Sequence, residues 1–159
     1  DRNGDGQIND KDKYIYKKPA PDVFLGFNTT LSYKKWTISA SARASLGNYI
    51  YNNVASNYEM KADMWTNNFI ANRLKSATAS NFDQAQYLSD YYIKNASFFK
   101  LDRVTLAYQI AKWARVNVTA QNVFTITKYK GLDPEVNGGI DNNMYPRPKT
   151  ILLGASFNF

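Results

Sequence analysis

The 159-residue chain has no cysteine, no histidine and no long apolar run. Without cysteine it cannot build a disulfide framework or a thiolate metal site. Without histidine it cannot build a His-ligated zinc site or a Ser-His-Asp triad. No stretch of about 18 apolar residues is present, so no transmembrane helix is predicted. These absences remove several common enzyme classes and the helical membrane proteins.

Basic residues outnumber acidic residues, but they are not clustered. The net charge is +7 and the pI is about 9.5, values that a nucleic-acid-binding protein could have. The basic residues are dispersed, however, and Lys34, Lys35 and Lys112 lie where short turns are predicted. No basic helix or aromatic RNA-binding signature accompanies them. Nucleic acid is therefore not an expected partner.

Five segments alternate apolar residues with small or polar residues, a pattern that predicts two-faced β-strands. Each is about ten residues long, the length of a tilted strand that crosses a bilayer. The last segment ends the chain on an aromatic residue, as the closing strand of a transmembrane β-barrel does. We therefore expect Phe157 and Phe159 to act as a membrane-insertion signal. The predicted strands are Asp22–Tyr33, Trp36–Leu46, Ser97–Ile110, Ala114–Ile126 and Thr150–Phe159.

Short and long connections alternate between these strands, as in outer-membrane barrels with tight periplasmic turns and large outer loops. The predicted fold is all-β, an antiparallel transmembrane barrel wall. Five strands cannot close a barrel, which needs at least eight, so we expect a piece of a larger one. The abrupt start at Asp1 also fits a fragment. The expected organisation is an outer loop at 1–21, a hairpin at 22–46, a long outer loop at 47–96, a hairpin at 97–126, an outer loop at 127–149 and a closing strand at 150–159.

Four residues on these strands carry specific expectations. Arg43 stands alone among small polar residues, which suits a water-filled lumen. Lys100 and Asp102 share the parity of the apolar residues of their strand, so that end is expected to rise above the hydrocarbon. Asn122 interrupts the apolar face of the next strand, which indicates either the membrane boundary or a β-bulge.

The first twelve residues match the spacing of an EF-hand calcium loop, with Gly6 at the sharp turn. Asp12 replaces the usual longer Glu, and prolines at 19 and 21 exclude the exiting helix. The expected role is to bind a calcium ion, with moderate to low affinity, that holds the loop in a fixed shape. The alternative is an Asp/Asn/Gly-rich turn without metal. The candidate calcium ligands are Asp1, Asn3, Asp5, Gln7, Asn9 and Asp12.

Two further groups of residues have side chains of the types used in binding or catalysis. Aromatic residues of the long loop could stack on sugars or dock a partner protein, although simple loop packing explains them equally well. Asp133 and Glu135 flank Pro134 without a supporting partner, so a glycosidase-type carboxylate pair is not predicted and no catalytic residue is assigned. The candidate substrate or partner residues of the loop are Tyr49, Tyr58, Trp65, Tyr87 and Tyr91.

Several blocks of the chain, in this order, resemble the C-terminal part of the SusC/RagA family of TonB-dependent outer-membrane transporters of Bacteroidetes. Segment 47–88 matches none of them, as expected of a loop that faces substrate or partner. The blocks are residues 1–8, Pro21-Asp22 leading into 26–28, 92–98 with 101–108, 121–129, 131–136 and 145–150.

The resemblance implies the last five strands of a 22-stranded barrel that is plugged by an N-terminal domain. It also implies a SusD-like surface lipoprotein as a lid, TonB acting through the N-terminal part, and glycan or peptide uptake across the bacterial outer membrane. Two alternatives remain open at this point. One is a soluble calcium-dependent carbohydrate-binding β-module, and the other is a small self-contained outer-membrane barrel.

Overall fold

The computed structural model describes residues 1–7, 9–61, 65–66, 69–70, 72–80, 82–84, 86–143 and 145–158. Within these ranges the chain forms ten strands, two short α-helices and three 3-10 turns. The strands are β1 Val23–Tyr33, β2 Trp36–Leu46, β3 Tyr49–Asn52, β4 Trp65–Thr66, β5 Phe69–Ile70, β6 Ile93–Asn95, β7 Phe98–Ala111, β8 Ala114–Thr127, β9 Ile140–Asp141 and β10 Thr150–Phe157. The helices are α1 Asn53–Tyr58 and α2 Ala77–Ser80, and the 3-10 turns are Asp10–Asp12, Asp90–Tyr92 and Asn137–Gly139. No helix in these ranges has both the length and the apolar character that crossing a bilayer requires.

A five-stranded antiparallel sheet in the order β1-β2-β7-β8-β10 dominates the structure. Its strands begin and end within two residues of the predicted segments. Two-residue turns, Lys34-Lys35 and Lys112-Trp113, join β1 to β2 and β7 to β8. The closing strand β10 pairs with β8, as expected from the sequence. The all-β antiparallel prediction is confirmed.

The large sheet has one apolar face and one polar face, because side chains alternate along each strand. One row across the apolar face reads Leu31–Ile38–Leu106–Val118–Leu153. These side chains are uncovered: Leu31 is 64% exposed and Leu153 is 81% exposed. A continuous exposed apolar surface of this kind is the lipid-facing band of a membrane barrel rather than the core of a sandwich.

Aromatic residues border this band at the end of the sheet that carries the two short turns. The rings of Trp36 and Tyr108 lie 4.6 Å apart between centroids, and those of Trp113 and Phe157 are stacked at 6.2 Å. From Trp36 to Ala44 a strand rises roughly 27 Å at about 3.4 Å per residue. At a tilt of about 40° this is roughly 20 Å of membrane thickness, close to the apolar band of outer-membrane barrels.

A double irregularity interrupts the register near the other end of the sheet. Ser41 pairs with Arg103 and Ala42 with Leu101, so Asp102 is an extra residue in β7. The pairing of β7 with β8 shifts at the same level, beside Asn122, whose φ is +52°. The interruption expected at Asn122 is therefore a bulge.

The bulge overturns the expectation that Lys100 follows the apolar face of its strand. One extra residue inverts the facing of every residue beyond it. Lys100 consequently pairs with Arg43 and joins the polar face, while Phe99 and Leu101 join the apolar face opposite Ala44 and Ala42.

The long segments between the strands carry structure of their own beyond this end of the sheet. Strands β6, β3 and β9 form a second sheet in which β3 and β9 run parallel. The Asn52 side chain caps α1 by accepting a hydrogen bond from the Ala55 amide at 2.8 Å. A small core of Ile50, Ala96 and Tyr129 lies between these elements. The two long segments are thus packed together and do not extend independently.

Candidate functional site

Six charged residues form a network on the polar face, at the end of the sheet that carries the long segments. Arg43 makes two hydrogen bonds to Asp102, at 2.9 and 3.1 Å, and also binds Glu135. Lys100 Nζ lies 3.2 Å from Asp133 and 3.1 Å from Glu135. The three cations and three carboxylates balance one another. The members of this charge network are Arg43, Lys100, Arg147, Asp102, Asp133 and Glu135.

The strands supply one side of the charge network and segment 127–149 supplies the other. Asp133 accepts a hydrogen bond from the Glu135 amide at 2.9 Å, a local turn that places both carboxylates on one side. Arg147 returns to this turn and contacts Asp133 and Glu135, each at 2.9 Å. Asn122 donates to the Arg147 carbonyl at 2.9 Å, so the bulge also anchors the segment. The network therefore fastens segment 127–149 to the wall of the sheet.

Burial decides the energetic weight of these ion pairs. Lys100 is 2% exposed and Asp133 is 7% exposed, so neither charge can be solvated by water. Burial by itself would raise the pKa of Glu135, but hydrogen bonding and attraction from Lys100, and then from Arg43, outweigh it and lower that pKa. Glu135 is therefore ionised at neutral pH and holds two strands and the segment together.

A groove of about 540 Å³ lies beside the charge network on the polar face. Its wall includes Arg103, whose side chain is exposed, together with Ser41 and Gln121. These three residues occupy one row across the sheet, since Ser41 pairs with Arg103 and Arg103 pairs with Gln121. Nearly all of the residues that line the groove are polar or charged, and the groove lies on the face opposite the lipid-facing band.

A second buried contact stiffens segment 127–149. The Tyr129 hydroxyl donates to Asp141 at 2.5 Å, and Asp141 also accepts from the Asn143 amide at 2.9 Å. Asp141 is 1% exposed. Burial raises the pKa of Tyr129, and the hydrogen bond to Asp141 raises it further. The Tyr129 hydroxyl therefore stays protonated and donates its hydrogen bond to the buried Asp141 carboxylate.

The N-terminal loop is curled, with its carboxylates turned onto its own backbone. Asp1 accepts from the Gly4 amide at 2.7 Å and the Gly6 amide at 2.8 Å, and Asp5 accepts from the Gln7 amide at 2.8 Å. Asp12 accepts from the Arg2 amide at 2.8 Å. Of the residues whose placement is described, no group of three or more Asp, Glu, His or Cys side chains lies close enough to hold a metal ion.

The remaining predicted ligands continue the same chain of contacts. The Asn3 side chain donates to Asp5 at 2.9 Å. The Asn9 side-chain amide lies 3.4 Å from the Gln7 carbonyl, and the Asn9 backbone amide donates to the Asp12 carboxylate at 2.8 Å. The hydrogen bond from the Gln7 amide, followed by that from Asn3, lowers the pKa of Asp5. All six candidate calcium ligands thus lie along one closed loop, and calcium stays a prediction for them.

The candidate aromatic residues of the long loop do not come together. Tyr91 packs edge-to-face with Phe82 and Tyr92 at 5.0 Å, whereas Tyr87 is exposed and Tyr58 stands beside Arg73. No ring–ring contact in the described ranges joins Tyr49, Tyr58, Tyr87 and Tyr91 to one another. The Trp65 side chain lies outside what the structure describes.

The predicted insertion signal is described in part. Phe157 is 55% exposed on the apolar face and stacks on Trp113, at the end of the sheet that carries the short turns. This is the interfacial position that an aromatic residue at the membrane boundary takes. Phe159 lies outside the described residues.

Sequence reasoning missed the charge network. The sequence predicts Arg43 as a lone lumen charge, yet it binds two carboxylates. Asp133 and Glu135 stand close together in the sequence, but nothing there links them to Lys100, which is 33 residues away from Asp133 along the chain. The usable signal was the broken alternation at Asp102, because a single bulge moves the preceding lysine to the polar face.

The chain is similar in sequence to known outer-membrane receptors. No family model matches the chain. The TonB-dependent receptor SusC of Bacteroides thetaiotaomicron is 46% identical, over 100% of this chain and 17% of the relative. The TonB-dependent receptor P3 of Formosa agariphila is 27% identical, over 100% of this chain and 18% of the relative.

Solved structures agree with the sequence relatives. A structure of the RagAB peptide importer in its open-open state is 26% identical, with a TM-score of 0.70, and covers 91% of this chain and 18% of that chain. Another structure of the RagAB peptide transporter gives a TM-score of 0.71 at 26% identity over the same shares. This chain thus spans less than a fifth of the length of the relatives that it matches. With its exposed apolar face and polar inner face, the chain belongs to the SusC/RagA family of TonB-dependent receptors of the outer membrane and forms part of their β-barrel wall.

Proposed function

We propose that this chain forms part of the wall of an outer-membrane importer that takes up glycans or peptides. The observation that carries the proposal is the 46% identity with SusC along the entire chain. The fold supports it, since the sheet offers an apolar face to lipid and a polar face to a lumen. The named relatives are receptors and a peptide importer rather than enzymes, which fits the absence of any assigned catalytic residue.

In this proposal the short turns lie at the periplasmic surface and the long segments lie outside the cell. The aromatic border at Trp36 and Trp113 then marks the inner interface of the membrane. Strands β1 and β10 each pair on one side only within the described residues. Because an unpaired strand edge in hydrocarbon leaves backbone groups unsatisfied, the remaining wall of the receptor pairs with both edges.

A surface lipoprotein of the SusD type is the proposed partner at the outer end, and a plug with its TonB contact is the proposed partner inside. The support is similarity to the RagAB importer, together with exposed apolar side chains on the long segments. Among these, Tyr145 is 88% exposed and Leu88 is 73% exposed. Amphipathic aromatic residues such as Tyr145 are enriched at protein interfaces.

Uptake by the complete receptor tests the transport proposal. Deleting the receptor gene in the bacterium that produces it should abolish uptake of labelled glycans or labelled peptides, and the wild-type gene should restore it. Uptake should also stop when a protonophore collapses the proton gradient. Unchanged uptake of both substrate classes in the deletion strain would show that the receptor does not import them.

Two adjacent substitutions test the role in the barrel wall. Leu153 lies on the apolar face and its neighbour Leu152 on the polar face, opposite Thr119. Leu153→Arg should cost about 2–4 kcal/mol at a lipid-facing position and prevent assembly, whereas Leu152→Arg should cost far less. Assembly is measured by heat-modifiable migration in gels and by uptake. Equal assembly of the two variants would contradict the assignment of the faces.

We also propose that calcium binds the N-terminal loop and holds its shape. Carboxylate, amide and carbonyl oxygens are the ligands that calcium takes, and the loop already brings them into sequential contact. The backbone bonds to Asp1 and Asp5 leave further lone pairs on each carboxylate. The proposed ligands are Asp1, Asn3, Asp5, Gln7, Asn9 and Asp12, and calcium would supply charge neutralisation there.

Hydrogen exchange of the complete receptor tests the calcium proposal. Removing calcium with a chelator should speed the exchange of amides in residues 1–12 and leave β1 and β2 unchanged, because the strand hydrogen bonds do not involve the loop. The test variant is Asp5→Asn, which removes a charge at a predicted ligand, so calcium should protect the loop less in this variant. Identical exchange with and without calcium would reject the site.

A further inference from the structure

Arg103 differs from the other cations that line the groove on the polar face. Its side chain is exposed, and no residue in the described ranges forms an ion pair with it. The adjacent carboxylate is already occupied, because both oxygens of Asp102 accept hydrogen bonds from Arg43. Its guanidinium therefore faces the groove with its donors available.

The charge balance of the groove makes this significant. Arg43, Lys100 and Arg147 are met by the three carboxylates of the charge network. Among the described cations that line the groove, Arg103 then remains without a carboxylate partner. It is flanked in its row by the Ser41 hydroxyl and the exposed Gln121 amide, both of which can hydrogen-bond a ligand oxygen.

We propose that Arg103, Gln121 and Ser41 form an anion subsite on the lumen wall that binds a carboxylate group of the imported substrate. This proposal rests on the proposed transport function. The planar fork of a guanidinium matches a carboxylate with two parallel hydrogen bonds, and the flanking neutral donors add contacts without adding charge. The groove of about 540 Å³ has room for one sugar-acid unit or one peptide terminus.

Binding to the purified complete receptor, with its surface lipoprotein, tests the subsite. The probes are two matched pairs: a galacturonic-acid tetrasaccharide with its methyl ester, and a pentapeptide with its C-terminal amide. Wild-type receptor should bind at least one charged probe roughly ten-fold more tightly than its neutral counterpart. Preference within the sugar pair identifies an acidic glycan, and preference within the peptide pair identifies a peptide carboxylate.

Three variants separate an anion subsite from a structural role. Arg103→Gln should remove the discrimination between charged and neutral probes, while Arg103→Lys should keep part of it as a point charge. Arg115→Gln is the matched control, because Arg115 is an exposed arginine on the same face, opposite Ser156 near the short turns. That variant should discriminate as wild type does.

Several results would overturn the subsite. One is a wild-type receptor that binds charged and neutral probes equally. Another is that Arg103→Gln weakens the binding of the charged and the neutral probe of a pair alike. The same holds if Arg103→Gln fails to assemble and Arg103→Lys does not distinguish charged from neutral probes. A third is Arg115→Gln losing discrimination to the same extent. In each of these cases uptake of the neutral probe by the wild-type receptor would still report on the transport function, so the two proposals fail separately.

Discussion

Lys100→Met tests whether the charge network holds segment 127–149 against the barrel wall. Lys100 is 2% exposed and contacts Asp133 and Glu135 at 3.2 and 3.1 Å. Methionine keeps the length of the side chain but leaves a buried carboxylate without its ammonium partner. Removing one member of a buried ion pair costs about 3–5 kcal/mol, against about 0–1 kcal/mol for an exposed pair.

The assay is hydrogen exchange of amides 131–147 in the complete receptor. At about 1.4 kcal/mol per factor of ten, a cost of about 3 kcal/mol would raise opening of the segment roughly a hundred-fold. Lys112→Met, at an exposed turn position, is the control and should change exchange by less than about three-fold. Exchange no faster in Lys100→Met than in Lys112→Met would refute the reasoning.

A second substitution separates lost charge pairing from lost packing. Adding Asp133→Asn to Lys100→Met removes the buried carboxylate that has lost its ammonium partner and keeps only Arg147, so part of the protection should return. Strictly additive effects of the two substitutions would show that the residues do not act as a pair. The exchange rates of the single and double variants give this coupling directly.

The same network predicts a pH dependence with a definite sign. The pKa of Glu135 is lowered in the folded protein, so its contribution is fully present above the ordinary glutamate pKa of about 4.3. The contribution is lost as the pH falls through the lowered value. Segment 127–149 should therefore stay protected from pH 7 down to about 5 and open only in stronger acid, whereas Glu135→Gln should flatten this profile. Opening of the segment that begins above pH 6 would contradict the assignment.

Three further predictions concern local contacts. Tyr129→Phe leaves a buried carboxylate without one donor and should cost about 1–3 kcal/mol, measured by exchange of the neighbouring amides. Gly131→Ala should cost about as much, because the new Cβ would collide with the Tyr129 ring, whereas Gly26→Ala meets open space. Asn122→Ala loses the hydrogen bond to the Arg147 carbonyl and strains a φ of +52°, so it should destabilise more than Asn122→Gly, as thermal unfolding would show. Equal effects within either pair would count against the stated causes.

The strands and their two faces follow from the sequence alone. Period-2 alternation is a local property, so Trp36–Leu46 predicts its own apolar and polar sides without knowledge of a partner. The adjacent turn at Lys34-Lys35 is short enough to force an antiparallel hairpin, and the alternation of short and long connections indicates a barrel wall. For the same reason the pairing of the closing strand with its neighbour could be predicted.

The charge network and the groove were decided by the tertiary structure. Whether Lys100 faced lipid or lumen depended on one extra residue at Asp102, and a bulge is defined by the pairing of two strands rather than by one. Its partners lie in a segment whose path is set by contacts between residues distant in sequence, such as Tyr129 with Asp141 and Asn122 with Arg147. Ion pairs of this range leave no periodic trace in a sequence, because burial and geometry, not residue type, determine which charges meet.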